Sequence, residues 1–306
     1  MEYYKLPQSD LTVSKIALGC MRISGKSVEE VEELVKTALD LGINFFDHAD
    51  IYGGGKSEEV FGEVLKRHPE YREKMILQTK CGIVPGKRYD FSKEHILQCV
   101  NDSLKRLNTD HVEILLLHRP DALCDPQEVA EAFDELYQAG KVKYFGVSNH
   151  TPLQIELLKK YSKYPLIINQ LQLSIVHSVM IDSGLNMNMK EAFAQDKDGG
   201  VLDYCRLNDI TIQPWSSIQA SWAKGTFIDH PNYQKLNDVM QQLAHKYQVT
   251  KPTIAIAWLL RHPAKMQPIV GTTSPIHLKE ISEACKIQLT RQEWYDLYLA
   301  SDKPLP

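Results

Sequence analysis

The six cysteines of this chain, Cys20, Cys81, Cys99, Cys124, Cys205 and Cys285, form no Cys-x-x-Cys pair. That scatter excludes a zinc ribbon and a disulfide frame, and it implies reduced thiols in a cytoplasmic protein. His-x-His and His-Glu-x-x-His are absent, so no metal is expected. No apolar run approaches the roughly 20 residues needed to cross a bilayer, and no membrane partner is expected. Met1-Glu2-Tyr3-Tyr4-Lys5 lacks the apolar segment and small-residue cleavage site of a secretory signal. Concentrated positive charge is missing too: 35 basic residues are interspersed with 39 acidic ones, for a formal net charge of -4. Without a basic stripe to neutralise phosphates, nucleic acid is not an expected partner. No Gly-x-Gly-x-x-Gly turn follows the first candidate strand, where Gly19-Cys20-Met21-Arg22 stands instead. That absence weighs against an open, doubly wound dinucleotide-binding sheet.

What is present is an alternation of short β-type runs with longer helical patterns. Strands are expected over residues 16–19, 43–47, 75–80, 112–117, 143–147, 166–169, 210–214 and 268–270. Helical patterns fill the gaps at 28–41, 58–66, 93–107, 126–139, from Thr151-Pro152 onward, 233–247 and 253–261. In the first, Val31, Leu34, Val35, Ala38 and Leu41 share one face, and Gly42 ends it. Eight apolar strands, each followed by a helix, predict an α/β fold: one (β/α)8 TIM barrel domain spanning residues 1–306. Residues 3–6 and 11–13 fit an N-terminal hairpin closing the barrel bottom. Two long connections, 172–200 and 216–232, leave the C-terminal ends of strands six and seven, the rim where barrel enzymes build their active sites.

Four polar residues stand on that rim. Asp47 ends strand two in Phe45-Phe46-Asp47-His48-Ala49-Asp50-Ile51-Tyr52-Gly53, and Tyr52 lies in the loop after it. Lys80 ends strand three, and His118 ends strand four in Leu115-Leu116-Leu117-His118-Arg119-Pro120-Asp121. Singly, each reads as an ordinary strand end: a solvated exit from the core, a hydrogen-bonded structural imidazole, a tyrosine packing a turn. On neighbouring strands of one rim they read as one site. They suit proton donation to a carbonyl oxygen as hydride arrives. A free tyrosine, with a pKa of about 10, is a sluggish acid at neutral pH; the Lys80 ammonium is expected to lower that value. Asp47 would hold Lys80 charged and aimed, and His118 would hydrogen-bond the carbonyl oxygen or help relay the proton.

The Asp, Tyr, Lys and His at these strand positions are similar to the catalytic tetrad of the aldo-keto reductases. Gly146-Val147-Ser148-Asn149 after strand five and Asn169-Gln170 after strand six extend the match, which runs over about residues 13–287. The Phe-Asp-His-Ala-Asp-Ile-Tyr-Gly-Gly and Leu-Leu-Leu-His-Arg-Pro-Asp runs look closest to a bacterial subgroup of general oxidoreductases. The resemblance implies NAD(P)H-dependent reduction of an aldehyde or ketone, with Tyr52 as general acid, Lys80 and Asp47 as its tuners and His118 as substrate orienter. It also implies that Ser148, Asn149 and Gln170 hydrogen-bond the nicotinamide carboxamide, whose two ends amide and hydroxyl side chains can satisfy. Trp215 would stack on the ring. Met21, Arg22, Asp47, Ser216, Ser217 and Ile218 are the further cofactor contacts expected on the rim.

After strand eight the family commonly grips the adenosine end with a basic residue, a hydroxyl and an Arg. Here those positions hold Gly271, Thr272 and His277, with Thr273 beside them and Glu280 where an acidic contact to adenine is common. An imidazole adds charge only when protonated, while backbone N–H groups of the helix opening at Ser274-Pro275 can receive a phosphate. NADP(H) is therefore the expected cofactor and NAD(H) the alternative.

The expected partner is a small carbonyl substrate, apolar rather than phosphorylated, in a pocket lined by Tyr52, His118, Met21, His177, Trp222 and Phe227. His48 is expected to pack behind the tetrad, and Cys20 and Cys81 to be buried spectators. A monomer is the family default. Two other classes compete: a Schiff-base aldolase with Lys80 as nucleophile, and a sensor or accessory subunit that binds nicotinamide cofactor with negligible turnover.

Overall fold

The computed structural model describes residues 1–190, 192–221, 223–303 and 305. The chain opens with an antiparallel hairpin, β1 (Tyr3–Lys5) and β2 (Thr12–Ser14). Then follow β3 (Ala17–Gly19), α1 (Val28–Asp40), β4 (Phe45–Asp47), α2 (Lys56–Arg67) and β5 (Ile76–Cys81). A small hairpin, β6 (Ile83–Val84) and β7 (Arg88–Tyr89), precedes α3 (Lys93–Arg106), β8 (Val112–Leu117), α4 (Pro126–Gln138), β9 (Val142–Ser148), α5 (Pro152–Tyr161) and β10 (Leu166–Gln172). Next come α6 (Val179–Leu185), α7 (Val201–Leu207), β11 (Thr211–Trp215), a second small hairpin of β12 (Gln219–Ser221) and β13 (Gly225–Thr226), then α8 (Gln234–Tyr247) and α9 (Lys251–Leu260). The chain ends with β14 (Ile269–Val270), α10 (Pro275–Ser282) and α11 (Arg291–Ala300).

Eight parallel strands make one sheet in the order β11-β10-β9-β8-β5-β4-β3-β14. Its end strands approach each other. Gln267 N–H donates to the Ile212 carbonyl at 3.1 Å, and Ser217 Oγ to the Ile269 carbonyl at 3.3 Å, so the sheet curls into a nearly closed (β/α)8 barrel. Local chemistry starts the outer helices where the strands need them. Ser27 and Glu30 form a capping box on α1, and Thr151 and Gln154 form one on α5. Asp125 caps α4, with Pro126 in its first turn. Each such cap satisfies an otherwise orphaned N–H and is worth about 1 kcal/mol.

Because successive side chains point to opposite faces of a strand, the sheet sorts its residues into two cores. Phe46, Leu77, Leu115 and Leu117 face the helices, while Phe45, Ile76, Ile114, Leu116 and Ile168 point inward. Leu6 and Val13 of the hairpin, fully buried, join the inner set and plug the barrel floor. Going up the inner faces in steps of two, Ile76 gives way to Gln78 and then Lys80, Phe45 to Asp47, and Ile168 to Gln170. The interior therefore grades from oil at the floor to charge at the rim.

Two regions differ from expectation. The connection after β10 is not simply a loop: it carries α6, and α7 starts where it was expected to end. The C-terminal α11 was also unanticipated. It starts at a Thr290–Glu293 capping box and docks on α9, where the Trp258 and Trp294 indoles stack at 4.8 Å. Each indole N–H donates to the other residue's carbonyl at 3.1 Å. No helix among the described residues is long and apolar enough to cross a membrane.

Candidate active site

The C-terminal ends of β4, β5 and β8 bring Asp47, Lys80 and His118 to one rim, and the loop after β4 brings Tyr52 back to Lys80. Gly53, Gly54 and Gly55 follow with φ of 59°, 65° and 94°. These left-handed angles suit glycine, and they let the chain reverse just past Tyr52 and enter α2. The Lys80 ammonium donates to Asp47 Oδ1 at 2.7 Å, the His48 carbonyl at 2.8 Å and Tyr52 Oη at 3.0 Å, which uses all three of its hydrogens. Lys80 and Asp47 are buried.

A glutamine chain supports this pair. Gln78 Nε2 and Gln170 Nε2 donate to Asp47 Oδ1 at 2.6 and 3.0 Å, and both also donate to Gln213 Oε1, at 2.9 and 3.0 Å. Gln213 Nε2 donates to Gln267 Oε1 at 2.8 Å, and Gln267 Nε2 to the Ser14 carbonyl at 2.8 Å. Sequence reasoning named Gln170 but missed Gln78, Gln213 and Gln267. The available signal was alternation: Gln78 lies two residues before Lys80 and shares its face.

Burial sets the electrostatics. It pulls the Lys80 ammonium toward neutrality, yet Asp47 and Tyr52 outweigh it and hold the group above the ordinary lysine range. The Tyr52 phenol was expected to be lowered by Lys80, and here it differs. Burial raises it above its ordinary value, and Lys80, already engaged by Asp47, offsets only part of the rise. His118 stands edge-on to Tyr52 with ring centroids 6.0 Å apart. Burial, helped by Lys80 and Arg119, drives it well below the ordinary imidazole range, so it is neutral. His48 packs behind the group as expected, against Phe61 at 4.5 Å, with its pKa pushed down to about 3 by burial. Burial lifts the Cys20 and Cys81 thiols, which makes them inert.

A cleft of about 1090 Å³ opens over these residues and runs from Tyr52 and His118 to Glu280. Met21, Arg22, Asp47, Ser148, Asn149, Gln170, Trp215, Ser216, Ser217 and Ile218 all line it, as do Gly271, Thr272 and His277. Thr273 is not among the lining residues. Asn149, at a φ of 61°, donates through Nδ2 to Ser148 Oγ at 2.8 Å and accepts from Trp215 Nε1 at 3.2 Å. Ser148 Oγ donates to the Gln170 carbonyl at 3.0 Å. Arg22 Nη1 donates to the Gly271 carbonyl at 3.4 Å.

The expected substrate pocket needs two corrections. Phe227 is completely buried, because the hairpin chain turns it down against Tyr233 rather than toward the cleft. His177 lies outside the cleft too, where the Ser174 turn holds its backbone and Lys303 stands nearby. Trp222 lies outside the described residues.

A family model described as the Aldo/keto reductase family matches residues 15–298. Oxidoreductase YdhF of Escherichia coli (strain K12) is 34% identical over 300 residues, covering 94% of this chain and 93% of that protein. A 6-dehydroglucose reductase of Novosphingobium aromaticivorans is 34% identical over 310 residues, covering 98% and 95%. The crystal structure of a thermostable aldo-keto reductase in complex with the inhibitor epalrestat matches with a TM-score of 0.79 at 25% identity, covering 98% of this chain and 100% of that one.

Proposed function

The chain belongs to the aldo/keto reductase family, and on that premise we propose that it reduces an aldehyde or ketone to the alcohol with hydride from NADPH and a proton from Tyr52. The observation that carries this reading is the buried Lys80 ammonium, held 2.7 Å from Asp47 Oδ1 and 3.0 Å from Tyr52 Oη at the base of the cleft. Tyr52 keeps its proton in the resting site, since burial holds the phenol above its ordinary value. It yields that proton to the carbonyl oxygen as negative charge develops there, and Lys80 stabilises the phenolate left behind. Neutral His118, whose Nδ1 is buried without a partner and so better left unprotonated, would donate from Nε2 to the same oxygen and orient the carbonyl.

When bound, the reduced nicotinamide supplies hydride from C4 to the carbonyl carbon and is itself oxidised. The residues present fit that group. Ser148, Asn149 and Gln170 would hold the carboxamide, Trp215 the ring, and the segment from Gly271 to His277 the adenosine phosphate at the start of α10. A Cβ built on Gly271 would stand 3.8 Å from Arg22 Nη1. Arg22 thus supplies positive charge beside a position that lacks a basic side chain, which favours NADPH and leaves NADH as a weaker alternative. Schiff-base chemistry is disfavoured, because a nucleophilic amine must be neutral and Lys80 is held charged.

Tyr52→Phe tests the assignment. Carbonyl reduction should fall by roughly 10²–10⁴, the range of general acid catalysis, while NADPH binding, read by tryptophan fluorescence, persists. Full activity in this variant would end the assignment. Wild-type binding of NADPH without measurable turnover of reactive aldehydes would favour the sensor reading instead.

A further inference from the structure

Lys80 is neutralised by Asp47, Lys251 by Asp229, and Arg106, behind the Tyr52 loop, by Glu58, while Arg22, in the same cleft, donates to the Gly271 carbonyl. Arg119 differs. It directly follows His118 and lines the cleft with Tyr52, Met21 and Ile83. Among the described residues its guanidinium has no carboxylate partner and no hydrogen-bond acceptor; it lies over the Trp215 ring, 5.8 Å from the centroid. The residue is half-buried, so the charge has given up part of its hydration without gaining a counter-charge. Such a group keeps all five donors of its planar fork. Trp215 Nε1 donates to Asn149 Oδ1 at 3.2 Å, which orients the indole under the guanidinium.

We propose that Arg119 receives the carboxylate of the substrate, so that this enzyme favours carbonyl compounds bearing an acid group across a short apolar spacer. The inference rests on the reductase reading above, and it replaces the expected preference for a purely apolar substrate. A carboxylate fits better than the alternatives. One guanidinium with no second cation beside it matches a planar monoanion bidentately, whereas a phosphate dianion would leave charge uncompensated. A neutral polyol would accept hydrogen bonds from the guanidinium but leave its charge uncompensated. Met21 and Ile83, which line the same cleft, supply apolar wall for the spacer.

The test uses 4-carboxybenzaldehyde and its methyl ester, which share ring and aldehyde and differ in charge. Wild type should reduce the acid with the lower KM, and added salt should erode that advantage. In Arg119→Gln the acid-to-ester ratio of kcat/KM should fall roughly tenfold to a hundredfold, the usual range for losing a charged hydrogen-bond partner, mostly through KM. Arg119→Lys should restore part of it, and NADPH titration of each variant reports that the cofactor site is intact. If wild type shows no preference for the acid, or if both substrates lose equally in Arg119→Gln, the carboxylate assignment is overturned while the reductase reading stands. If wild type reduces neither, the reductase reading falls and this inference with it.

Discussion

The two ends of the cleft hold their charges in opposite ways. At the β4–β5 end Lys80 and Asp47 are buried, every ammonium hydrogen is used, and three donors converge on one carboxylate oxygen. At the β14–α10 end Arg22 and His277 are exposed, Glu280 is half-buried, and no ion pair links them. One end is organised by the fold before any ligand arrives; the other is completed by the ligand it meets. On the proposed reading, the first would carry the proton transfer and the second the choice between NADPH and NADH.

The largest effect should come from breaking the preorganised end. Lys80→Met strands a buried carboxylate and should cost about 3–5 kcal/mol of stability besides abolishing reduction. The double variant Lys80→Met/Asp47→Asn should regain most of that stability and none of the activity. Denaturant melts and aldehyde assays check both, and a fully stable single variant would erase the contrast between the two ends.

A smaller effect concerns Asp50, in the loop between Asp47 and Tyr52. Its Oδ1 is buried without a partner, and burial pushes its pKa up to about 7. The unfolded carboxyl titrates near 3.9, so between about pH 4 and pH 7 the folded state binds the proton more strongly. The associated stability is complete below the unfolded value and is lost as pH rises through the folded one. Asp50→Asn should flatten that decline in unfolding experiments across this range; an unchanged decline would place it elsewhere.

The smallest effect belongs to the open end. Arg22→Ala should weaken NADPH several-fold, on the order of 1 kcal/mol for one exposed charged contact, and NADH by less. Fluorescence titration with both cofactors decides, since equal weakening would mean that Arg22 does not read the 2′-phosphate.

Most of the barrel was legible in the sequence because the inner strands open on apolar residues and helices such as α1, α4 and α5 carry an apolar stripe and a capping residue. The tetrad was legible because strand ends, unlike loops, have predictable places. The glutamine chain was harder to see: a lone Gln in a strand says nothing about which of three other strands it will meet. Helices α6 and α7, seven residues each, are too short for periodicity to stand out. The capping box at Thr290 was written in the sequence and simply not used. The Tyr52 shift could not be read at all, since it depends on how deeply a ring is buried rather than on which cation is near.

The amide chain from Ser14 to Asp47 has a consequence of its own. Gln213 and Gln267 each present nitrogen to one neighbour and oxygen to another, so neither can turn over without forcing two oxygens or two hydrogens together, while Gln78 aims its nitrogen at both neighbours and leaves its oxygen buried without a partner. Turning Gln78 alone would aim an oxygen at the Asp47 carboxylate. The chain therefore has one polarity, and that polarity is set where Gln267 meets the peptide carbonyl of Ser14 beside the floor hairpin. The orientation of the amides around Asp47 is thus fixed from the barrel floor.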